Sequence, residues 1–280
     1  MRPVRTAAVT VVHGRHDHLT VQEAGLARSQ VRPDVRCLVS ISDPAIRSLA
    51  SAHAEVVECD STAVGLPLAL ARNLGARRAM DLGAELIVFL DVDCVPGATL
   101  IGRYVDAYAR VAGDALFAGP VTYLPPAPEG YRLESLAEQT DPHPARPAPP
   151  EGELVTEPNH DLFWSLSFAV SAATWRRIGG FDERYVGYGA EDTDFASTAA
   201  ALGIPLIWVG GAHAYHQHHP VSNPPIEHLE AIVANASIFH TRWGRWPMTG
   251  WLDAFERNGV LTRCGGGITI TVSDEERHAR

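Results

Sequence analysis

The chain of 280 residues is 46% hydrophobic and 20% charged, an ordinary globular composition with enough apolar residues for one large domain or two small ones. Its net charge of −10, from 33 acidic against 23 basic residues with no clustered basic tract, argues against a nucleic-acid surface. All 23 basic residues are arginine, which excludes a lysine-bearing phosphate loop, a Schiff-base mechanism and a lysine general base.

Residues 7–12 read as a strand, the polar turn 13–18 follows, and a helical pattern occupies 19–26. A second strand over 35–41 ends at Ser42-Asp43-Pro44, and a shorter one spans 54–59. Strands separated by helical stretches imply a parallel, doubly wound sheet. Asp43 then sits at a strand's carboxyl end, placed either to accept a ring N–H of a base or to N-cap a helix ahead of Pro44.

A helix over 65–80 feeds through Asp81-Leu82-Gly83-Ala84 into the apolar run 86–90. Arg72 on this helix points either at a phosphate or base, or simply at solvent, and Asn73 is placed to tie the helix to the strand end. The apolar run reads as a buried parallel strand and stops at Asp91-Val92-Asp93-Cys94, with the breaker Pro96-Gly97 beyond. Open α/β sheets bind ligands at that edge. Two carboxylates one residue apart repel each other, so burying both is costly without a cation, and hard oxygen ligands suit Mg²⁺ or Mn²⁺. The alternative is a solvated turn.

A helix over 98–111 and a strand over 116–123 follow. Eight of the 20 prolines then fall between 125 and 150, a stretch expected to be an irregular segment rather than a core element. The second half opens with a strand over 162–171 and a short helix ended by Gly179-Gly180. Glycines at 187 and 189 free the backbone for close approach to a ligand, and Glu191 and Asp192 stand at the amino end of a helix over 193–202. They are either first-turn helix acids or the source of a general base. A strand over 204–209 leads to His213, His216, His218 and His219, four imidazoles in seven residues.

The tail begins with a helix around 227–236, followed by Trp243, Trp246 and Trp251 near two arginines. These aromatics either pack the helix onto the body or form an acceptor-stacking platform. Residues 269–272 are expected to add an edge strand, and 273–280 to fray. The four cysteines lack Cys-x-x-Cys spacing and are expected to be free, buried thiols. No stretch approaches the roughly 18 apolar residues of a membrane span, and no apolar signal core stands at the amino end, so a cytoplasmic protein is expected.

Several of these stretches together carry a family resemblance: the strand-turn-helix opening, Asp43, Ala71-Arg72-Asn73, Phe89-Leu90-Asp91-Val92-Asp93-Cys94, Gly179-Gly180-Phe181-Asp182-Glu183, Glu191-Asp192 and Ala214-Tyr215-His216-Gln217. Residues 7–220 resemble the GT-A fold, family-two type inverting glycosyltransferases, with a second half similar to the galactosyltransferase carboxy-terminal region. The resemblance implies an α/β fold with a Rossmann-like, mostly parallel central sheet flanked by helices. It divides the chain into a GT-A domain over 1–225 and a helical extension over 226–280; the domain comprises a nucleotide-binding half (1–124), a proline-rich loop (125–160) and an acceptor and metal half (161–225).

The resemblance further implies a nucleotide-sugar donor, usually a UDP-sugar, bound by His13, Arg15, Asp43, Arg72, Asn73, Asp91 and Val92, with the base near Asp43 and Arg72 and the ribose at Asp91. Mn²⁺ or Mg²⁺ would sit at Asp93 and His216, with His219 in reserve; His213 and His218 would support the site or lie on the surface. Asp192 would be the base, Glu191 would orient hydroxyls, and Trp164 and Gly189 would meet the donor sugar or acceptor, a small molecule or peptide. Tyr188-Gly189-Ala190 departs from the tryptophan-glycine-glycine that often precedes the acidic pair. Two rivals remain: a haloacid-dehalogenase-like phosphohydrolase, whose aspartyl motif Asp91-Val92-Asp93 also fits but which normally needs a lysine, and a catalytically silent binding module.

Overall fold

The computed structural model describes residues 3–271. Eight strands form the central sheet: β1 (Thr6–Val12), β2 (Val35–Ile41), β3 (Ala54–Cys59), β4 (Leu86–Leu90), β6 (Leu116–Ala118), β8 (Leu154–Glu157), β9 (Ser167–Ser171) and β10 (Leu206–Val209). Three short strands, β5 (Cys94–Pro96), β7 (Val121–Tyr123) and β11 (Ala214–His216), form a second sheet, and β12 (Leu261–Cys264) pairs with β13 (Gly267–Ile270). The helices are α1 (His16–Ala27), α2 (Ile46–Leu49), α3 (Leu68–Asp81), α4 (Leu100–Arg110), α5 (Ala172–Ile178), α6 (Glu191–Ala201), α7 (Leu229–Trp243) and α8 (Thr249–Arg257).

The strand order of the main sheet is β3-β2-β1-β4-β9-β6-β10-β8. The first four strands are mutually parallel, as are β6 and β10, while β9 runs antiparallel to both β4 and β6 and β8 is antiparallel to β10. β4 therefore lies where the parallel half ends, and the carboxyl edge at such a position is where open sheets of this kind take ligands. Its five residues are all buried, as expected of a strand covered on both faces. On one face Phe89 stacks on Phe168 (ring centroids 4.6 Å apart) in an aromatic layer with Trp175, Phe181 and Phe195. On the other, Leu86, Val88 and Leu90 meet Leu100, Ile101 and Tyr104 of α4.

The fold corrects several expectations. Gly119-Pro120 breaks the expected strand over 116–123 into β6 and β7, which belong to different sheets. Within the proline-rich stretch, residues 154–157 form β8, an edge strand, the one sheet position where neighbouring prolines do not interrupt a ladder on both sides. The strand expected over 162–171 begins only at Ser167, after a 3₁₀ turn over His160–Leu162. Asp43 is not an N-cap, because α2 starts at Ile46 behind Ala45; its carboxylate instead accepts the Ala45 N–H in a tight turn. The strand near 269 joins a separate hairpin rather than the edge of the central sheet, and Val272, with the fraying expected over 273–280, lies outside the described residues. Cys37, Cys59 and Cys94 are buried free thiols, but Cys264 is exposed. Among the described residues no helix is long and apolar enough to cross a membrane.

Candidate active site

The turn after β4 is held from below. Gln22, fully buried on α1, donates from Nε2 to the carbonyls of Asp91 (2.6 Å) and Cys94 (2.9 Å). Its Oε1 accepts from Thr10 Oγ1 and Arg36 Nη2, both at 2.8 Å, and Arg36 is in turn paired with Glu23 at 2.7 Å. Every polar atom of the glutamine amide is thus used, which fixes the backbone that presents Asp91 and Asp93. Sequence reading missed Gln22. Its signal is a polar residue on the buried stripe Leu19, Gln22, Leu26 of a helix.

Asp93 is brought to the histidines by the short sheet. β5 and β11 pair antiparallel with Cys94 opposite His216, and the Gln217 N–H donates to the Asp93 carbonyl at 2.7 Å. His216 Nε2 lies 3.5 Å from Asp93 Oδ1, His219 Nε2 lies 3.4 Å from Oδ2, and Arg15 Nη1 approaches Oδ2 at 3.8 Å. Among the described residues Asp93, His216 and His219 can offer ligand atoms within 4.8 Å of one another. Among the described residues Asp93 Oδ1 is buried without a hydrogen-bond partner, and a cation would satisfy it. Burial works to raise the Asp93 carboxyl, but His219, His216 and Arg15 together hold it below the usual range. Burial lowers His216, leaving its ring neutral and able to ligate. One carboxylate with two imidazoles fits a divalent cation, and the nitrogen donors favour Mn²⁺ over Mg²⁺. His213 is elsewhere, its ring 2.7 Å from Thr122 Oγ1.

The second acidic pair opens α6. Glu191 Oε1 binds Arg72 Nη1 at 3.0 Å, while Arg72 Nη2 binds Asp91 Oδ1 at 3.1 Å, so one guanidinium joins the two acidic segments. Arg72 is only 5% exposed and its charge also lies over the Phe181 ring, 5.3 Å from the centroid. It is not a surface arginine. Asn73 binds the backbone of Phe181 in both directions (2.8 and 2.9 Å) and Glu183 Oε1 at 2.9 Å, so it ties α3 to the 181–183 loop rather than to the β4 strand end. Among the described residues Asp192 makes no ion pair, though the Arg72 charge acts on it; its Oδ1 accepts the Thr193 N–H at 2.7 Å and hydroxyl at 3.3 Å. Burial, reinforced by Glu191, pushes the Asp192 carboxyl up to about 7.

Asp43 Oδ2 accepts the Gly14 N–H and meets His16 Nε2, both at 2.8 Å, while His13 Nδ1 lies 2.8 Å from the Ile41 carbonyl. Both residues therefore shape the turn between β1 and α1 that also carries Arg15. The Val92 side chain packs against the cluster of Val12, Leu19, Leu38 and Ile46. Trp164 is half-buried and meets His143 edge-on at 5.3 Å. Gly189 has φ of 91°, and a Cβ there would fall 2.5 Å from Met248 Sδ; at Gly187 (φ 80°) it would fall 2.7 Å from Ala231 Cβ. The carboxy-terminal helices close on this loop, with Asn235 Nδ2 donating to the carbonyls of Val186, Tyr188 and Gly189. The tail aromatics are packing residues: Trp243 bonds Asp194 at 2.7 Å, Trp246 stacks on His240, and Trp251 stacks on Tyr188 at 5.7 Å.

A family model described as the N-terminal domain of galactosyltransferase matches residues 159–220, the stretch holding Trp164, the second acidic pair and His216. The chain is 32% identical over 160 residues to validoxylamine A glucosyltransferase of Streptomyces hygroscopicus subsp. jinggangensis, covering 51% of this chain and 37% of that protein. It is 32% identical over 84 residues to the N-acetylglucosaminyl-diphospho-decaprenol L-rhamnosyltransferase of Mycobacterium tuberculosis, covering 28% of this chain and 27% of that one. The chain thus spans well under half the length of these relatives. Among solved structures, GalNAc-T7 with UDP, GalNAc and Mn²⁺ superposes with a TM-score of 0.57 at 12% identity, covering 92% of this chain and 54% of that one. S. aureus TarS 1-349 gives 0.52 at 13% identity, covering 85% and 66%. The fold is the GT-A fold, with a galactosyltransferase-like region in its second half.

Proposed function

We propose that this chain is a metal-dependent glycosyltransferase, which moves a sugar from a nucleotide-sugar donor, a UDP-sugar, to an acceptor hydroxyl with inversion at the anomeric carbon. The observation that carries the reading is the division of labour around Arg72. In each acidic segment one carboxylate, Asp91 or Glu191, is bonded by that guanidinium, and the other is not: Asp93 faces His216, His219 and Arg15 instead, and Asp192 is bonded by Thr193. Asp93, His216 and His219 would hold Mn²⁺, which when bound would neutralise the donor diphosphate. Arg15 would add a positive charge beside it. Asp192, with a carboxyl raised toward neutrality, would take the proton of the acceptor hydroxyl as the oxygen attacks from the face opposite the diphosphate. Glu191, held by Arg72, would orient hydroxyls.

The named activities of the relatives, glucosyl and rhamnosyl transfer, and the UDP and Mn²⁺ of the structural neighbour support this reading. The phosphohydrolase reading is not favoured: Asp91, which would be its nucleophile, is paired with Arg72, and the chain contains no lysine. Calorimetry with UDP tests the proposal. Wild-type protein should bind UDP more tightly with Mn²⁺ than without it, and His216→Ala should lose that gain while its metal-free binding stays near wild type. A wild-type UDP affinity indifferent to Mn²⁺ would remove the metal from the proposal.

A further inference from the structure

Three arginines of the described chain are more than nine-tenths buried: Arg36 (7% exposed), Arg72 (5%) and Arg146 (5%). A guanidinium stays charged at any pH a folded protein meets, so each needs acceptors when buried. Arg36 has Glu23, and Arg72 has Asp91 and Glu191. Arg146 has none: Nε, Nη1 and Nη2 are all buried without a hydrogen-bond partner among the described residues.

Two indoles meet the group. The guanidinium carbon lies 4.8 Å from the Trp208 ring centroid and 5.3 Å from that of Trp164. Cation–π contact offsets part of the desolvation cost, but it leaves five N–H donors unused. The backbone beneath is fixed, with the Arg146 N–H bonded to the His143 carbonyl (3.0 Å) and the His143 N–H to that of Val121 (2.9 Å). His143 also contacts Tyr123, whose ring stacks on the proposed metal ligand His216 at 4.5 Å. A line of rings thus runs from His216 through Tyr123 and His143 to Trp164, with Arg146 at its end. Trp208 is fully buried and Trp164 only half so, which makes Trp164 the cover that faces outward.

We propose that Arg146 is a recognition residue for a carboxylate on the sugar ring handled by this cleft, reached when the Trp164 indole turns aside. A guanidinium carries its N–H donors in plane, the geometry that takes a planar carboxylate through two parallel bonds. The assignment to a sugar rests on the transferase reading; the need of Arg146 for an anion does not. The carboxylate belongs either to a hexuronic acid donor or to an acidic acceptor.

Calorimetry separates the two sources. If the donor carries the group, wild-type protein with Mn²⁺ should bind UDP-glucuronate about tenfold or more tightly than UDP-glucose. If the acceptor carries it, the same preference should appear for D-glucuronate over D-glucose, added with or without UDP. Arg146→Gln should abolish whichever preference is found, with UDP alone as the reference ligand in both proteins. Arg146→Lys, which keeps the charge but loses the fork, should retain only part of it and serves if the glutamine variant fails to fold. Equal binding of acidic and neutral partners in both arms, a preference that survives in Arg146→Gln, or a response to inorganic phosphate but to neither carboxylate would overturn the proposal. Failure of UDP to bind would count against the transferase reading, whereas the D-glucuronate arm without UDP would still judge Arg146.

Discussion

The two acidic segments, Asp91-Val92-Asp93 after β4 and Glu191-Asp192 at the start of α6, look alike in sequence and are supported differently. The first is immobilised by its backbone, with Gln22 gripping the carbonyls of Asp91 and the following Cys94, and Gln217 that of Asp93. The second is held through a side chain, the Glu191–Arg72 pair, on a helix entered through Ala190 in the left-handed conformation (φ 73°). Backbone anchoring suits a group that would have to keep ligand distances to a metal ion. Side-chain anchoring of the neighbour leaves Asp192 a carboxylate in a desolvated setting, suited to exchanging a proton. The comparison separates the member of each segment bonded to Arg72, Asp91 or Glu191, from the neighbour to which the proposed reading assigns the metal or the proton transfer.

Breaking the shared tie should have the largest effect. Arg72→Met leaves Asp91 and Glu191 facing each other without a cation, and should destabilise the protein by about 3–5 kcal/mol in urea unfolding. A loss under about 1 kcal/mol would show that the two segments are not coupled through this residue. Next comes the unpaired acid: Asp192→Asn should lower turnover about 10²-fold or more with little change in donor binding. Near-normal turnover by that variant would transfer the base elsewhere. The smallest effect sharpens the contrast between neighbours. Burial and the Glu191 charge hold Asp192 near 7, so turnover should fall about tenfold per pH unit below that point as the carboxylate takes up a proton. Glu191→Gln removes one of the two causes and should move the acidic limb to lower pH. A limb that stays in place would leave burial as the sole cause.

What the sequence disclosed follows the range of the forces involved. β1, β2 and β4 announce themselves because a strand buried on both faces must be a continuous apolar run, and the carboxyl end of such a run is where ligands gather. β5, β7 and β11 do not, since three residues carry no periodicity; yet they place His216 opposite Cys94 and so beside Asp93. β8 was hidden by the composition around it. Arg72 was visible as a residue of interest, but its partners were not: nothing local in Ala71-Arg72-Asn73 says that a carboxylate 119 positions away will meet it. Gln22 and Arg146 belong to residue types that are usually exposed, yet both are buried. Burial decides their roles, and burial is a property of the assembled fold.

Asn235 carries one last implication. Its side-chain amide reaches three carbonyls of the 186–189 loop, 46 to 49 positions earlier in the chain, while Ala231 and Met248 stand where side chains on Gly187 and Gly189 would go. Loop and helix therefore form a single unit of shape. Transplanting residues 185–192 into another scaffold of this fold, or exchanging them between relatives, would carry the letters but not the conformation unless residues 229–251 travelled with them.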